Sequence, residues 1–251
     1  MGPLAGLQVL VTRPAERAGG LVKAVHELGG TALECPTLII EPVTTPPPVS
    51  RDGDIVLFVS PAAVAYGAQH VLAGRASLPE IGGVGPATAG ALIERGWVPT
   101  LEPVDGCDSE ALLALHALSP ERVFGRSVVI VRGSGGRALL GDELRARGAS
   151  VEYVEVYRRR APAAFEGELA TRADIVTVTS VEGLENLLAA LAGPERGVVL
   201  SKPLVTSGKR VTQVACAAGF CGRIVTAISP ADDHMAAALV ELAPEVQGVS
   251  G

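Results

Sequence analysis

The chain is predicted to be an α/β protein of two related halves, each a parallel sheet covered by helices, and three observations predict it. Short β-branched runs (VLV, IVLFV, VVIV, DIVTVT, KPLVT) alternate with amphipathic stretches that open on helix-start signals, the pattern left when crossover helices bury both faces of a parallel sheet. The chain also repeats itself, which bears on architecture before any local reading. Finally, 48% hydrophobic against 19% charged residues over 251 positions, at mean hydropathy +0.36, is ample apolar material for folded cores and far from a disordered composition.

The repeat has four anchors of nearly constant separation. LQVLVTRP (7–14) aligns with RSVVIVRG (126–133), bringing Arg13 onto Arg132, and Gly29 falls on Gly148, each closing a helix-like stretch before a strand. DIVLFVSP (54–61) aligns with DIVTVTSV (174–181), Ser60 on Ser180, and GPATAGALIERGW (85–97) with GKRVTQVACAAGF (208–220).

Taken in order, VLVT is the first strand, and Pro14 suits the first turn of the helix behind it. TALECPTLIIE (31–41) and ASVEYVEVYRR (149–159) are both extended-looking, about 36 Å at the strand rise and twice a usual strand. Such strands are expected to run between domains side by side, so that the first βα unit joins the C-terminal half. Residues 55–74 carry no Asp, Glu, Lys or Arg and have the length of a membrane span. Ser60-Pro61 is nevertheless a helix start, and the aligned copy carries Glu182 and Glu185, so strand, turn and soluble helix are predicted. Pro86 after Gly85 opens another helix; Thr179 with Glu182 reads as a capping box, and Ser229-Pro230 as a final start.

Composition excludes several functions. With 21 Lys and Arg against 27 Asp and Glu, net −6, a basic nucleic-acid binder is excluded as the default, and four Phe, three Tyr and one Trp make no base-stacking platform. Cys35, Cys107, Cys216 and Cys221 show no CxxC spacing and no nearby histidine, which predicts reduced core-type thiols in a cytoplasm. The N-terminus has no basic n-region, so no signal peptide is expected. His26, His70, His116 and His234 are far apart, and GxSxG and HExxH are missing; covalent and metal catalysis lack their usual residues, and no cofactor is expected.

Parallel strands aim their C-terminal ends at the N-termini of the following helices, the anion-friendly ends. The ends of VLVTRP, FVSP, VGPAT, VRGSGGR, VTS and TSGKR should therefore surround crevices. They supply hydroxyls (Thr12, Ser60, Thr88, Thr179, Ser180, Ser207), cations (Arg13, Arg132, Arg137, Arg210) and the glycines Gly133 and Gly208. Such a set suits a polyanionic ligand; read more plainly, the hydroxyls are helix caps. RGSGGR (132–137) matches neither GxGxxG nor GxxxxGK[ST], so a tight turn competes with a nucleotide site. Tyr157, at the end of VEVYRRR, could donate a proton without metal or cofactor, or be a partly buried linker tyrosine.

VLVTRP, FVSPAAV, VGPATAGAL, SEALL (109–113), VRGSGGR, VEVYRR, VTSVEGLENLL and SGKRV…AAGF, in this order and spacing, resemble the uroporphyrinogen-III synthase family over nearly the whole chain. The resemblance implies two flavodoxin-like domains, 1–36 plus 161–251 and 40–154. It joins them by a two-stranded antiparallel linker, about 37–42 and 155–160, with the active site in the cleft between. It implies cyclisation of hydroxymethylbilane, with loss of water and inversion of ring D through a spiro intermediate. Tyr157 matches the tyrosine that assists hydroxyl departure, Ser60, Thr88 and Ser180 match cleft-lining positions, and Arg210 matches a basic position after the second-domain glycine. Thr12, Arg13, Arg132, Gly133, Thr179 and Gly208 complete the expected substrate contacts. No metal or cofactor is implied. The partners are the octacarboxylate substrate and, transiently, the preceding hydroxymethylbilane synthase; no nucleic acid, no membrane and a cytoplasmic monomer are expected. SGKRV departs from relatives that carry consecutive threonines there, which puts hydroxyl contacts at that loop in question. Competing readings are an inactive two-lobed small-molecule sensor and a nucleotide-dependent flavodoxin-like or Rossmann enzyme; the latter lacks its phosphate fingerprint.

Overall fold

The computed structural model describes residues 2–44, 54–75, 77–104, 106, 108–136 and 138–248. The chain opens with β1 (Gln8–Val11), α1 (Ala15–Glu27) and β2 (Thr31–Glu34). Pro14 is the residue before α1 rather than part of its first turn, with φ −49° and ψ 140°; its fixed φ suits either place. The helix closes at Gly29 with φ +86°, and the repeated Gly148 takes φ +87°, a left-handed conformation that costs glycine little.

The extended stretch 31–41 is two strands, not one: β2 ends at Glu34 and β3 spans Ile39–Pro42. Pro36 has no N–H for a ladder, and Thr37 turns inward instead. Its N–H and its Oγ1 both donate to the Thr12 carbonyl (3.1 and 3.3 Å), while Asn186 Nδ2 donates to the Thr37 carbonyl (2.9 Å).

There follow β4 (Ile55–Phe58), α2 (Pro61–Leu72), β5 (Glu80–Gly83), α3 (Pro86–Ile93) and α4 (Ser109–Leu113). After a 3-10 turn at His116–Leu118 come α5 (Pro120–Val123), β6 (Ser127–Gly133), α6 (Leu139–Ala146) and the long β7 (Ser150–Arg160). The uncharged segment 55–74 is thus strand, turn and helix, as its serine-proline start predicts. The last part holds α7 (Gly167–Arg172), β8 (Ile175–Val178), α8 (Val181–Ala190), α9 (Gly193–Leu200) and β9 (Leu204–Thr206). It ends with α10 (Lys209–Ala217), β10 (Ile224–Thr226) and α11 (Asp232–Val246). Two start signals shift. Ser180, not Thr179 with Glu182, caps α8, its Oγ accepting the Gly183 N–H at 3.0 Å. Helix α11 begins after Ala231, two residues beyond Ser229, whose Oγ accepts the Ala231 N–H.

Two compact units result, residues 1–39 with 160–251 and residues 40–159. In the first, the sheet order is β2-β1-β8-β9-β10, all neighbours parallel. Alternating side chains of β1 feed opposite layers: Val9 and Val11 pack with Leu21, Val25, Met235 and Leu239 of α1 and α11. Leu10 packs on the other face with Val176, Leu184, Leu187 and Val211. In the second unit the order is β5-β4-β6-β7, all parallel, with β3 beyond β7. Val56, Phe58, Val129 and Val131 meet α2 and α3 on one face, and Ile55, Leu57, Val128 and Ile130 meet α4 and α6 on the other. The four-residue strands β4 and β8 are buried at every position, as a sheet covered on both faces requires. Because β1 aligns with β6 and β8 with β4 in the repeat, each sheet takes its opening βα pair from one half of the chain and its neighbour strand from the other. Among the described residues no helix is long and apolar enough to cross a membrane.

Candidate active site

Each sheet has one place where the chain turns left from one strand and right from the next, which opens a crevice at the carboxyl ends. In the unit 40–159 that place lies between β4 and β6, so the residues at their carboxyl ends, Ser60 beyond β4 and Arg132-Gly133-Ser134 at the end of β6, line it. Ser60 is extended (φ −166°) and caps α2, its Oγ accepting the Ala63 N–H at 3.1 Å. The same oxygen lies 3.1 Å from Tyr157 Oη.

Tyr157 arrives on β7. The ladder slips between Arg132 and Gly133, pairing Gly133 with Tyr157, and the Ser134 N–H donates to the Tyr157 carbonyl at 2.8 Å. A Cβ at Gly133 would stand 2.5 Å from both Cε2 and Cζ of the phenol ring, so only glycine permits this seat. The ring is 4% exposed and tilts against Tyr66 of α2, centroids 6.3 Å apart. Arg132 is committed nearby: its Nη2 lies 3.2 Å from Glu155 Oε1 and its guanidinium 4.4 Å over the Tyr153 ring. Thr88 is buried in α3, its hydroxyl 3.5 Å from the Val84 carbonyl of its own turn. Ser60, Gly133 and Tyr157 are therefore brought together, while Thr88 follows β5, on the far side of β4 from β6.

The other unit has its crevice between β1 and β8. There Thr12 is buried and donates to the Thr177 carbonyl at 2.7 Å, and Thr177 Oγ1 donates to the Leu10 carbonyl at the same distance. Arg13, 7% exposed, pairs with Asp232 and donates to the Pro230 carbonyl at 2.6 Å. A Cβ at Gly20 would overlap the Asp232 carboxylate, so that pair is built in. Thr12 and Arg13 thus each have partners within their own unit. Thr179 is half-buried, its carbonyl accepting the Ser207 hydroxyl at 2.8 Å. Gly208 precedes α10 with nothing within 4 Å of where a Cβ would stand, and Arg210 is exposed in the first turn. Arg137 and Cys107 lie outside the described residues.

Sequence reasoning missed the carboxylates Asp232 and Glu155 that partner Arg13 and Arg132. It also missed the hydroxyl chain Thr206–Thr212–Thr226 (2.6 and 2.7 Å) that ties β9, α10 and β10 together. Cys35 is a core thiol, and burial pushes it up to about 11, with its backbone contact to Glu166 opposing. Cys216 and Cys221 are exposed, which corrects their reading as core thiols. Among the described residues no group of three or more His, Cys, Asp or Glu is placed to hold a metal ion.

A family model described as uroporphyrinogen-III synthase HemD matches residues 20–237. The chain belongs to the uroporphyrinogen-III synthase family. A uroporphyrinogen-III synthase of Escherichia coli (strain K12) is 34% identical over 196 residues, covering 72% of this chain and 78% of that one. One from Salmonella typhimurium is 33% identical over 195 residues, with the same coverage of both chains. Among solved structures, uroporphyrinogen-III synthetase from Helicobacter pylori superposes with TM-score 0.62 at 12% identity, covering 94% of this chain and 99% of that one. A mutant uroporphyrinogen III synthase from Thermus thermophilus gives TM-score 0.58 at 19% identity, with 97% and 100% covered. At such identities the likeness is one of fold.

Proposed function

We propose that the protein is an active uroporphyrinogen-III synthase, a cofactor-independent hydro-lyase that cyclises hydroxymethylbilane with inversion of ring D through a spiro intermediate. The observation that carries this reading is the Tyr157 phenol on Ser60 at the N-terminus of α2, a proton donor at a helix start over the crevice of its sheet. In the proposed step the terminal C–O bond breaks and the hydroxyl leaves as water with the phenol proton. The pyrrole nitrogen lone pair carries the cation, and a ring-carbon proton released at closure restores the phenol. Hydroxymethylbilane therefore gives uroporphyrinogen III and one water.

At net −6 the protein cannot attract an octacarboxylate by overall charge, so local donors must hold it. The proposed set is the helix-start N–H groups with Thr88, Thr179, Ser180, Gly208 and Arg210, aided by Arg132 and Gly133, while Ser60 lines the crevice beside Tyr157. Unpaired helix-start donors and the macrodipole support this. The reading includes the family's two domains with linkers about 37–42 and 155–160. It also includes a cytoplasmic monomer that receives substrate from hydroxymethylbilane synthase. The relatives' shared activity name supports the substrate. The test is the ratio of isomer III to isomer I when purified protein meets freshly generated hydroxymethylbilane: excess III supports the reading, and the blank's ratio contradicts it.

A further inference from the structure

Ser60 makes two hydrogen bonds, and their directions differ in what they allow. Its oxygen accepts the Ala63 N–H, which fixes the hydroxyl at the start of α2, and its own proton then has Tyr157 Oη, at 3.1 Å, as its hydrogen-bond partner among the described residues. If Ser60 donates, the Tyr157 oxygen is the acceptor and the phenol keeps its proton for another group. If Tyr157 donated to Ser60, its proton would be occupied and not available to another group; either hydroxyl can be the donor across this contact. The N–H of Ala63 behind the serine oxygen polarises the Ser60 O–H, because bonds in a chain reinforce one another. The ring is packed at this contact, lying on Gly133 with no room for a Cβ and tilted against Tyr66.

We infer that Ser60 is a positioning residue that acts through Tyr157: its O–H donates to Oη, turns the phenol proton toward the departing hydroxyl and stabilises the tyrosinate formed when that proton leaves. This rests on the proposed synthase reading and adds to it a division of labour between two adjacent hydroxyls. One transfers the proton, and the other aims it.

The experiment is a double-mutant cycle on the full chain with preformed hydroxymethylbilane, measuring kcat, KM and the III to I ratio for wild type, Ser60→Ala, Tyr157→Phe and the double variant. Tyr157→Phe is expected to lower kcat by about 10²- to 10⁴-fold, and Ser60→Ala by about 10- to 100-fold with KM moved by about threefold or less. The double variant should be no slower than Tyr157→Phe alone, because the serine has nothing left to aim. Ser60→Thr, which keeps both the cap and the proton, should recover most of the Ser60→Ala loss, and that recovery would not follow from a thermal-stability change alone. A double variant slower than Tyr157→Phe by the full Ser60→Ala factor overturns the inference, as does a Ser60→Ala effect confined to KM. Wild type that yields only the blank's isomer ratio instead brings down the synthase reading itself. Wild type that makes isomer III while Tyr157→Phe keeps full turnover overturns the inference and leaves the synthase reading standing.

Discussion

The two crevices are copies of one design with different residues set around the shared cap. Ser60 and Ser180 occupy aligned positions, share extended backbones (φ −166° and −152°) and accept the same third-residue N–H at 3.1 and 3.0 Å. Their surroundings then diverge. Tyr157 falls on Leu38 in the repeat, so among the described residues one serine faces a phenol and the other does not. Arg13 and Arg132 are likewise aligned, but the first is sealed against Asp232 and the Pro230 carbonyl, and the second lies between Glu155 and Tyr153. The helix cap is duplicated; the phenol and the glycine that seats it are found in one copy, and on the proposed reading they supply the reactive proton.

The largest expected effect on this comparison comes from Tyr157→Phe, which keeps the ring packing and removes the proton: kcat falls by about 10²- to 10⁴-fold with the melting temperature nearly unchanged. A melting shift matching the activity loss would mean that the phenol is structural. Next is Gly133→Ala. Its methyl displaces the ring by roughly an ångström, and misplacement on that scale costs about 10²-fold in turnover, measurable as kcat beside an intact far-ultraviolet spectrum. Arg13→Ala breaks the comparison from the other side. Its guanidinium is 8% exposed but the Asp232 side chain is 45% exposed, so solvent discounts the pair. The expected loss is about 1–3 kcal/mol of stability in urea unfolding, with kcat of the folded protein moved by no more than about threefold. The smallest effect is at Cys35. Its thiol, pushed up to about 11 from 9.0 by burial, adds stability that is complete below pH 9 and is lost as pH rises through the folded value. At pH 8 iodoacetamide should label Cys216 and Cys221 and spare Cys35 until the chain unfolds, checked by peptide mass.

What was legible in the sequence was local or repeated. The strand-turn-helix over 55–74 followed from Ser60-Pro61 and the acidic residues of the aligned copy, and the two glycine-closed helices from Gly29 and Gly148. The single strand expected over 31–41 failed because Thr37 turns to the Thr12 carbonyl, a contact that only the folded sheet creates. The Arg13–Asp232 pair is not legible in the sequence, because the two residues are 219 apart in the chain and no spacing rule reaches that far. Ser60 was identified as a site residue from its place at a strand end, but its bond to Tyr157 depends on a ladder slip at Gly133 that no period in the sequence announces.

The most direct test of unequal copies is kcat at saturating hydroxymethylbilane for Ser60→Ala beside Ser180→Ala. Both lose the same helix cap, about 1 kcal/mol each, so stability alone predicts equal consequences. This account predicts a kcat loss of about 10- to 100-fold for Ser60→Ala and about threefold or less for Ser180→Ala, whose effect falls on KM. Equal losses of kcat in the two variants would contradict it.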